Sequence, residues 1–242
     1  MSTSYLLSQT KLFSKDLQSL PLKKLLINTL NAYCFNIAQK DSVYAESLNK
    51  SDVLIPDGIS VVFALHFLTG EKLKKIAGED LFYYEMNRLN ITGGSCFFLG
   101  SSESTLKRII DHVATDFPQV KVQTYSPPFK QEFCPEENAQ MVKLINTFKP
   151  DVLFVGMTAP KQEKWAYHHL DALETGHICC IGAVFDFYAG NIKRAPRWMI
   201  SLGLEWFYRL INEPGRMWRR YLIGNSEFIW LVLKEKFTRR NA

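Results

Sequence analysis

What the chain lacks removes several classes of protein at once. Its 242 residues hold five cysteines, Cys34, Cys96, Cys134, Cys179 and Cys180, with no CxxC pair and an odd total. That pattern excludes a disulfide scaffold and a zinc ribbon, and predicts reduced thiols of the cytosolic kind. No apolar run reaches the ~20 residues of a membrane-spanning helix, and no charged-then-apolar leader marks the N-terminal region. G-x-x-x-x-G-K-[ST], G-x-G-x-x-G and G-x-S-x-G are all missing, which argues against P-loop, classical dinucleotide and serine-hydrolase sites. There is no D-x-D to hold a divalent ion on a diphosphate, and no His, Cys and acid residues at metal-ligand spacing. Neither a metal nor another cofactor is therefore expected.

What remains is ordinary in bulk and uneven in distribution. Apolar residues make up 47% and charged residues 22%, as in a globular domain, and the net charge is +5. Residues 193–242 carry eleven Lys/Arg against four Glu, a net +7, which leaves −2 for the first 192 residues. Trp198, Trp206, Trp218 and Trp230, four of the five tryptophans, lie in the same stretch. Arginine suits phosphate and indole suits the lipid–water boundary, so this stretch predicts a docking surface for a phosphorylated ligand at an anionic membrane. A plain basic helix packing its aromatics on a core is the bland reading of the same residues. A nucleic-acid face would also combine arginine with aromatics, but no nucleic-acid module is present, so no such partner is expected.

The pattern along residues 25–187 alternates strand and helix. Strands are expected at Leu25–Leu30, Asp52–Ile55, Cys96–Leu99, Asp151–Val155 and Ile178–Phe187. Helices are expected at Ala32–Gln39, Ile59–Leu68, from Ser101 or Ser102 to Phe117, from Pro135 to Pro150, and from Pro160 through Leu170. Strands apolar throughout, alternating with helices, predict a Rossmann-like α/β core: a parallel sheet with helices on both faces. Beyond Pro196 the pattern is wholly helical. The expected division is a core over 1–194 and a helical appendage over 195–242.

In such sheets ligands sit at the carboxyl ends of strands, and four polar sites fall there: Thr29 with Asn31, Asp57, Gln162 after Gly156, and Asp186. Asp57, between Pro56 and Gly58, could act as a general base. On sequence grammar alone, a turn Asp bonding its own backbone is the plainer account. Gln162 follows a helix start where free N–H groups and Lys161 could meet an anion, or it could simply cap that start. Asp186 interrupts the apolar run Ile178–Phe187, so it should be paired, with Arg194 as the natural partner, or bind a ligand.

Taken together, the residues resemble one family. Thr29-Leu30-Asn31-Ala32, Pro56-Asp57-Gly58, Gly78-Glu79-Asp80-Leu81, Gly156 with Pro160-Lys161-Gln162-Glu163, Phe185-Asp186, Arg194-Ala195-Pro196, Glu205-Trp206, Arg209, Glu213-Pro214, Arg216 and Arg219-Arg220-Tyr221 occur in order. Over roughly residues 25–225 they resemble the WecG/TagA/CpsF glycosyltransferases (family 26). The resemblance implies an inverting transfer from a UDP-sugar to an undecaprenyl-diphosphate-linked acceptor at the cytoplasmic membrane face, without a bound metal. It implies Asp57 as base, Thr29 and Asn31 lining the donor or acceptor pocket, and Gln162 and Asp186 on the UDP moiety. Arg194, Arg209, Arg216, Arg219 and Arg220 would serve the diphosphate and lipid. Lys75 stands where the family usually has arginine, keeping the charge but losing the bidentate fork. N-acetylmannosamine, its uronic acid, glucose and glucuronic acid all remain open as the sugar, and a homo-oligomer is compatible. The alternative is a non-catalytic nucleotide- or lipid-binding module on the membrane.

Overall fold

The structure, a computed structural model, describes residues 5–193, 195–201 and 203–240. Six strands form one parallel sheet in the order β2-β1-β6-β5-β3-β4. They are β1 (Leu25–Leu30), β2 (Val53–Pro56), β3 (Ser95–Gly100), β4 (Lys121–Tyr125), β5 (Val152–Gly156) and β6 (His177–Cys180). Between them run α1 (Ala32–Ala38), α2 (Ser42–Asn49), α3 (Ile59–Thr69), α4 (Gly78–Thr92), α5 (Glu103–Asp116), α6 (Pro135–Phe148) and α7 (Lys161–His169). After β6 come α8 (Gly182–Tyr188), α9 (Arg197–Ser201), α10 (Glu205–Asn212), α11 (Pro214–Trp218), a π-helical turn over Arg219–Ile223, and α12 (Gly224–Arg240). The expected α/β core with helices on both faces is what the chain forms.

The unbroken apolar strands follow from two-sided burial. Along β3, Cys96 and Phe98 face one core while Phe97 and Leu99 face the other. Val152 and Phe154 of β5 likewise oppose Leu153 and Val155. On the first side Phe82, Phe98, Phe154 and Phe185 pack ring against ring; the Phe98 and Phe154 centroids are 5.1 Å apart. On the second, Met141, Ile145, Trp165 and Ala166 of α6 and α7 cover the sheet. Cys96, Cys179 and Cys180 belong to these cores and are free thiols, so they pack as small apolar groups.

One expected strand is half helix. Residues 177–180 pair with β1 and β5, but at Ile181 the chain turns, and Gly182–Tyr188 is α8. The run Ile178–Phe187 is apolar because both of its halves are buried, and apolarity alone does not distinguish the two conformations. Two glycines make the close packing possible. A Cβ on Gly182 would lie 2.5 Å from Gln162 Oε1, and one on Gly156 would lie 2.6 Å from the Phe185 ring. Asp186 therefore does not interrupt a strand. It is a half-exposed residue of α8, and its Oδ1 accepts a 3.3 Å bond from Asn191 Nδ2. Its expected partner Arg194 lies outside the described residues.

The last helix is fastened to the core. Phe228 and Val232 of α12 join the cluster built by α1, α2 and α3, with Phe228 edge-on to Phe35 at 5.4 Å. Glu235, itself buried, accepts the backbone N–H groups of Leu7 at 3.0 Å and Ser8 at 2.9 Å. Asn36 Nδ2 donates to the Gly224 carbonyl at 2.7 Å. No helix of the described residues is long and apolar enough to cross a membrane.

Candidate active site

β1 and β2 run side by side, in register from Ile27 with Val53 to Leu30 with Pro56, so their carboxyl ends open at the same level. The chain leaves β1 at Asn31, whose Oδ1 accepts the Cys34 N–H at 3.0 Å and caps α1. It leaves β2 at Asp57, whose N–H is held by the Leu30 and Ile55 carbonyls, each at 2.9 Å. Gly58 then takes φ +142°, ψ 131°, which a side chain resists, and starts α3. A Cβ there would stand 3.4 Å from Asn31 Cβ. The Pro-Asp-Gly turn thus fixes the carboxylate against the start of α1, where the Asn31 amide offers it a hydrogen bond.

Around that carboxylate is a cleft of about 220 Å³. It is lined by Asn31, Asp57 and Ser60 from the two strand ends, and by Tyr33 of α1. Lys75 enters from the loop before α4, drawn in by the Ile76 N–H to Pro56 carbonyl bond of 3.2 Å. The C-terminal helices close the other side with Glu205, Trp206, Arg209, Arg220 and Tyr221. Lys75 Nζ lies 3.7 Å from Glu205 Oε2. Arg209 is buried, 5.3 Å from the Phe187 ring centroid and 3.9 Å from Glu213 Oε1. The Arg220 guanidinium sits over Tyr33 at 4.4 Å.

Electrostatically the site is a recessed acid under cations. Burial pushes the Asp57 carboxyl up, Lys75 pulls it down, Glu205 pushes it up, and Arg220 and the Asn31 amide pull it down, for a value of about 6. It is therefore mostly ionised at neutral pH and still basic enough to accept a proton, the range suited to a general base.

The structure brings together five of the residues that the sequence nominates: Asn31, Asp57, Lys75, Arg209 and Arg220 line one cleft. The others fall elsewhere. Thr29 is buried within β1, beside Ile55. Gln162 is buried with its amide engaged, Oε1 taking the Met157 N–H at 3.2 Å and Nε2 donating to Glu163 Oε1 at 2.8 Å. Asp186 is on α8, and Arg219 is exposed beside Trp218, 5.2 Å from its ring. Arg216 belongs to α11, but its side chain lies outside what the structure describes, as does Arg194. Tyr33, Ser60 and Glu205 join the cleft beyond the residues expected from sequence. For Tyr33 and Ser60 the available signal was position, since each lies in the first helical turn after a strand end. Among the described residues no three His, Cys, Asp or Glu side chains come together as a metal site.

A doubly wound parallel sheet with a recessed carboxylate and converging cations at its carboxyl edge is an α/β enzyme architecture for anionic ligands. The sequence profile described as the glycosyl transferase WecG/TagA/CpsF family matches residues 8–242, and the chain belongs to that family. It is 32% identical over 210 residues to the N-acetylglucosaminyldiphosphoundecaprenol N-acetyl-beta-D-mannosaminyltransferase of Bacillus subtilis, a match spanning 87% of this chain and 79% of that protein. The proteins of the same name from Bacillus spizizenii and Staphylococcus aureus are each 29% identical, over 199 and 212 residues. Those matches cover 82% and 88% of this chain, and 75% and 81% of the respective relatives.

Proposed function

We propose that the chain transfers an N-acetylmannosaminyl residue from a UDP-sugar to N-acetylglucosamine carried on undecaprenyl diphosphate, with inversion at the anomeric carbon. The acceptor and the sugar are those in the names of its relatives. The observation that carries the reading is Asp57, a carboxylate raised to about 6 in a cleft lined by Lys75, Arg209 and Arg220. In the proposed step the acceptor hydroxyl oxygen attacks the anomeric carbon as Asp57 takes its proton. The bond from that carbon to the diphosphate oxygen breaks, and UDP leaves with the electron pair. Lys75, Arg209 and Arg220 stabilise the charge that develops on the leaving diphosphate. Asn31 holds Asp57 in place, while Thr29 and Gln162, both buried, support the carboxyl ends of β1 and β5 behind the cleft.

The acceptor is lipid-linked, and residues 195–242 are assigned to its delivery. Leu222, Ile223, Trp230 and Phe237 are exposed, as are Phe63 and Phe67 of α3. Lys234 lies 5.2 Å from the Trp230 ring and Lys236 5.1 Å from the Phe67 ring, so cations border the apolar face. That arrangement suits the cytoplasmic surface of an anionic membrane, where each basic side chain near the surface contributes ~1 kcal/mol. The test is UDP release from a panel of UDP-sugars with a short-chain polyprenyl-diphosphate N-acetylglucosamine. UDP-N-acetylmannosamine should give acceptor-dependent turnover. UDP binding with no transfer from any sugar would point instead to a nucleotide-binding module.

A further inference from the structure

We propose that Glu205 is the built-in counter-anion of the cleft: its carboxylate holds the Lys75 ammonium, and a substrate diphosphate must displace it to bind. The inference rests on the diphosphate-handling reading above and concerns how that same site is regulated.

Three observations support it. The first is the inventory of charge. Among the described residues of the cleft lining, Lys75, Arg209 and Arg220 are the cations, and Asp57 and Glu205 the carboxylates. Arg209 is engaged with Glu213 and Phe187, and Arg220 lies on Tyr33 while also lowering Asp57; Lys75 is paired with Glu205 and lowers Asp57, so it acts on both lining carboxylates. The second is the looseness of the pair. At 3.7 Å, with side chains 26% and 23% exposed, it is longer than a charge-assisted hydrogen bond and partly solvated. Such a pair exchanges easily for a phosphate group, which brings more charge and more acceptor oxygens than a single carboxylate.

The third is the position of Glu205 in the chain. It opens α10, just after Gly203, which has φ +72° and where a Cβ would lie 3.2 Å from Ile59 Cγ2. The close seating of Gly203 on the start of α3 brings Glu205 over the cleft. There it faces Asp57 together with Asn31, the N-cap of α1, Lys75 from the loop before α4, and Arg220 from the π-helical turn; Tyr33 and Tyr221 also line the cleft. Glu205 therefore acts on the proposed base as well as on the phosphate-binding cation, since its charge raises the proton affinity of Asp57.

The test compares wild type, Glu205→Gln, and Lys75→Met with and without Glu205→Gln. UDP and a short-chain polyprenyl-diphosphate N-acetylglucosamine are titrated separately, so that the donor and acceptor diphosphates are told apart. Relieving the competition should tighten binding of the diphosphate that uses Lys75 about two- to fivefold. The gain should vanish in the Lys75→Met background. In addition, the acidic limb of the kcat/KM profile should move to lower pH in Glu205→Gln, a change that a merely structural role would not produce. Unchanged or weaker affinity for both probes in a Glu205→Gln protein with native melting behaviour would overturn the inference. Should that variant fail to fold, Glu205→Asp withdraws the carboxylate by one methylene, and the same direction of change in affinity is required of it. Wild-type transfer is measured alongside: activity present with Glu205→Gln affinity unchanged sinks the counter-anion alone, whereas absent activity sinks the proposed reaction.

Discussion

The side chain of Asn31 joins the start of a helix to the Asp57 carboxylate. Its Oδ1 takes the Cys34 N–H at 3.0 Å, which leaves its amide nitrogen to face Asp57. One residue thus orders the first turn after β1 and orients the acid after β2, and Gly58 allows the two loops to approach this closely.

Replacing Asn31 with Ala should therefore have two separable effects. Loss of the cap should cost about 1 kcal/mol of stability, or a melting shift of roughly 2–4 °C for a chain of this size. Loss of the amide hydrogen bond removes an influence that holds the Asp57 proton affinity down, so the acidic limb of the rate profile should move to higher pH. A rate profile that does not move would detach Asn31 from the chemistry.

Far from the cleft, at the amino end of β6, His177 is buried between two acceptors. Its Nδ1 is 2.6 Å from Glu85 Oε1 and its Nε2 is 3.0 Å from the Pro21 carbonyl, while Arg88 grips Glu85 at 2.7 Å. Burial works against the charged ring, but the hydrogen bond and charge of Glu85 and the Pro21 carbonyl outweigh it, Arg88 opposes them only in part, and the net shift is upward. The stabilisation is therefore complete below the ordinary imidazole value of about 6.5 and is lost as pH rises through the raised one. A His177→Gln variant should be destabilised most, by on the order of 2 kcal/mol, at mildly acid pH. The gap from wild type should narrow as pH is raised, read as melting temperature against pH. A gap that widens towards alkaline pH would contradict this assignment.

Membrane docking is best tested by substitutions confined to the exposed face. Removing residues 195–242 would also strip Phe228, Val232 and Glu235 from the core, confounding binding with folding. Changing Trp230 and Phe237 together to Ser should leave the melting temperature within a degree or two, because both side chains are about 60% exposed. It should weaken sedimentation with vesicles containing anionic lipid several-fold. Undiminished vesicle binding would remove the docking role from this face.

Much of the fold was legible because two-sided burial leaves a clear trace: Cys96–Leu99 and Val152–Val155 are apolar runs bounded by polar or glycine residues, and Leu25–Leu30 departs from one only at Asn28 and Thr29. Apolarity failed at Ile178–Phe187, where strand and helix are both buried and the turn at Ile181 has no proline or asparagine to announce it. Helix α4 was passed over although Leu81, Phe82, Glu85, Met86 and Leu89 recur at helical spacing. Its buried Glu85 breaks the apolar stripe for a reason, the His177 pair, that only the folded chain shows. At the site, Asp57 read locally as a turn residue, and the resemblance to a family made it a base. Glu205 was legible only as part of the Glu205-Trp206 element of the resemblance, because its partner Lys75 is brought to it by chain topology.

The proposed reaction requires Asp57 to take the acceptor proton. The most direct measurement is the transfer rate of Asp57→Asn beside its affinity for UDP, in protein with wild-type melting behaviour. If Asp57 is that base, kcat falls by about 10²–10⁴-fold with UDP affinity little changed. Turnover close to that of wild type would contradict it.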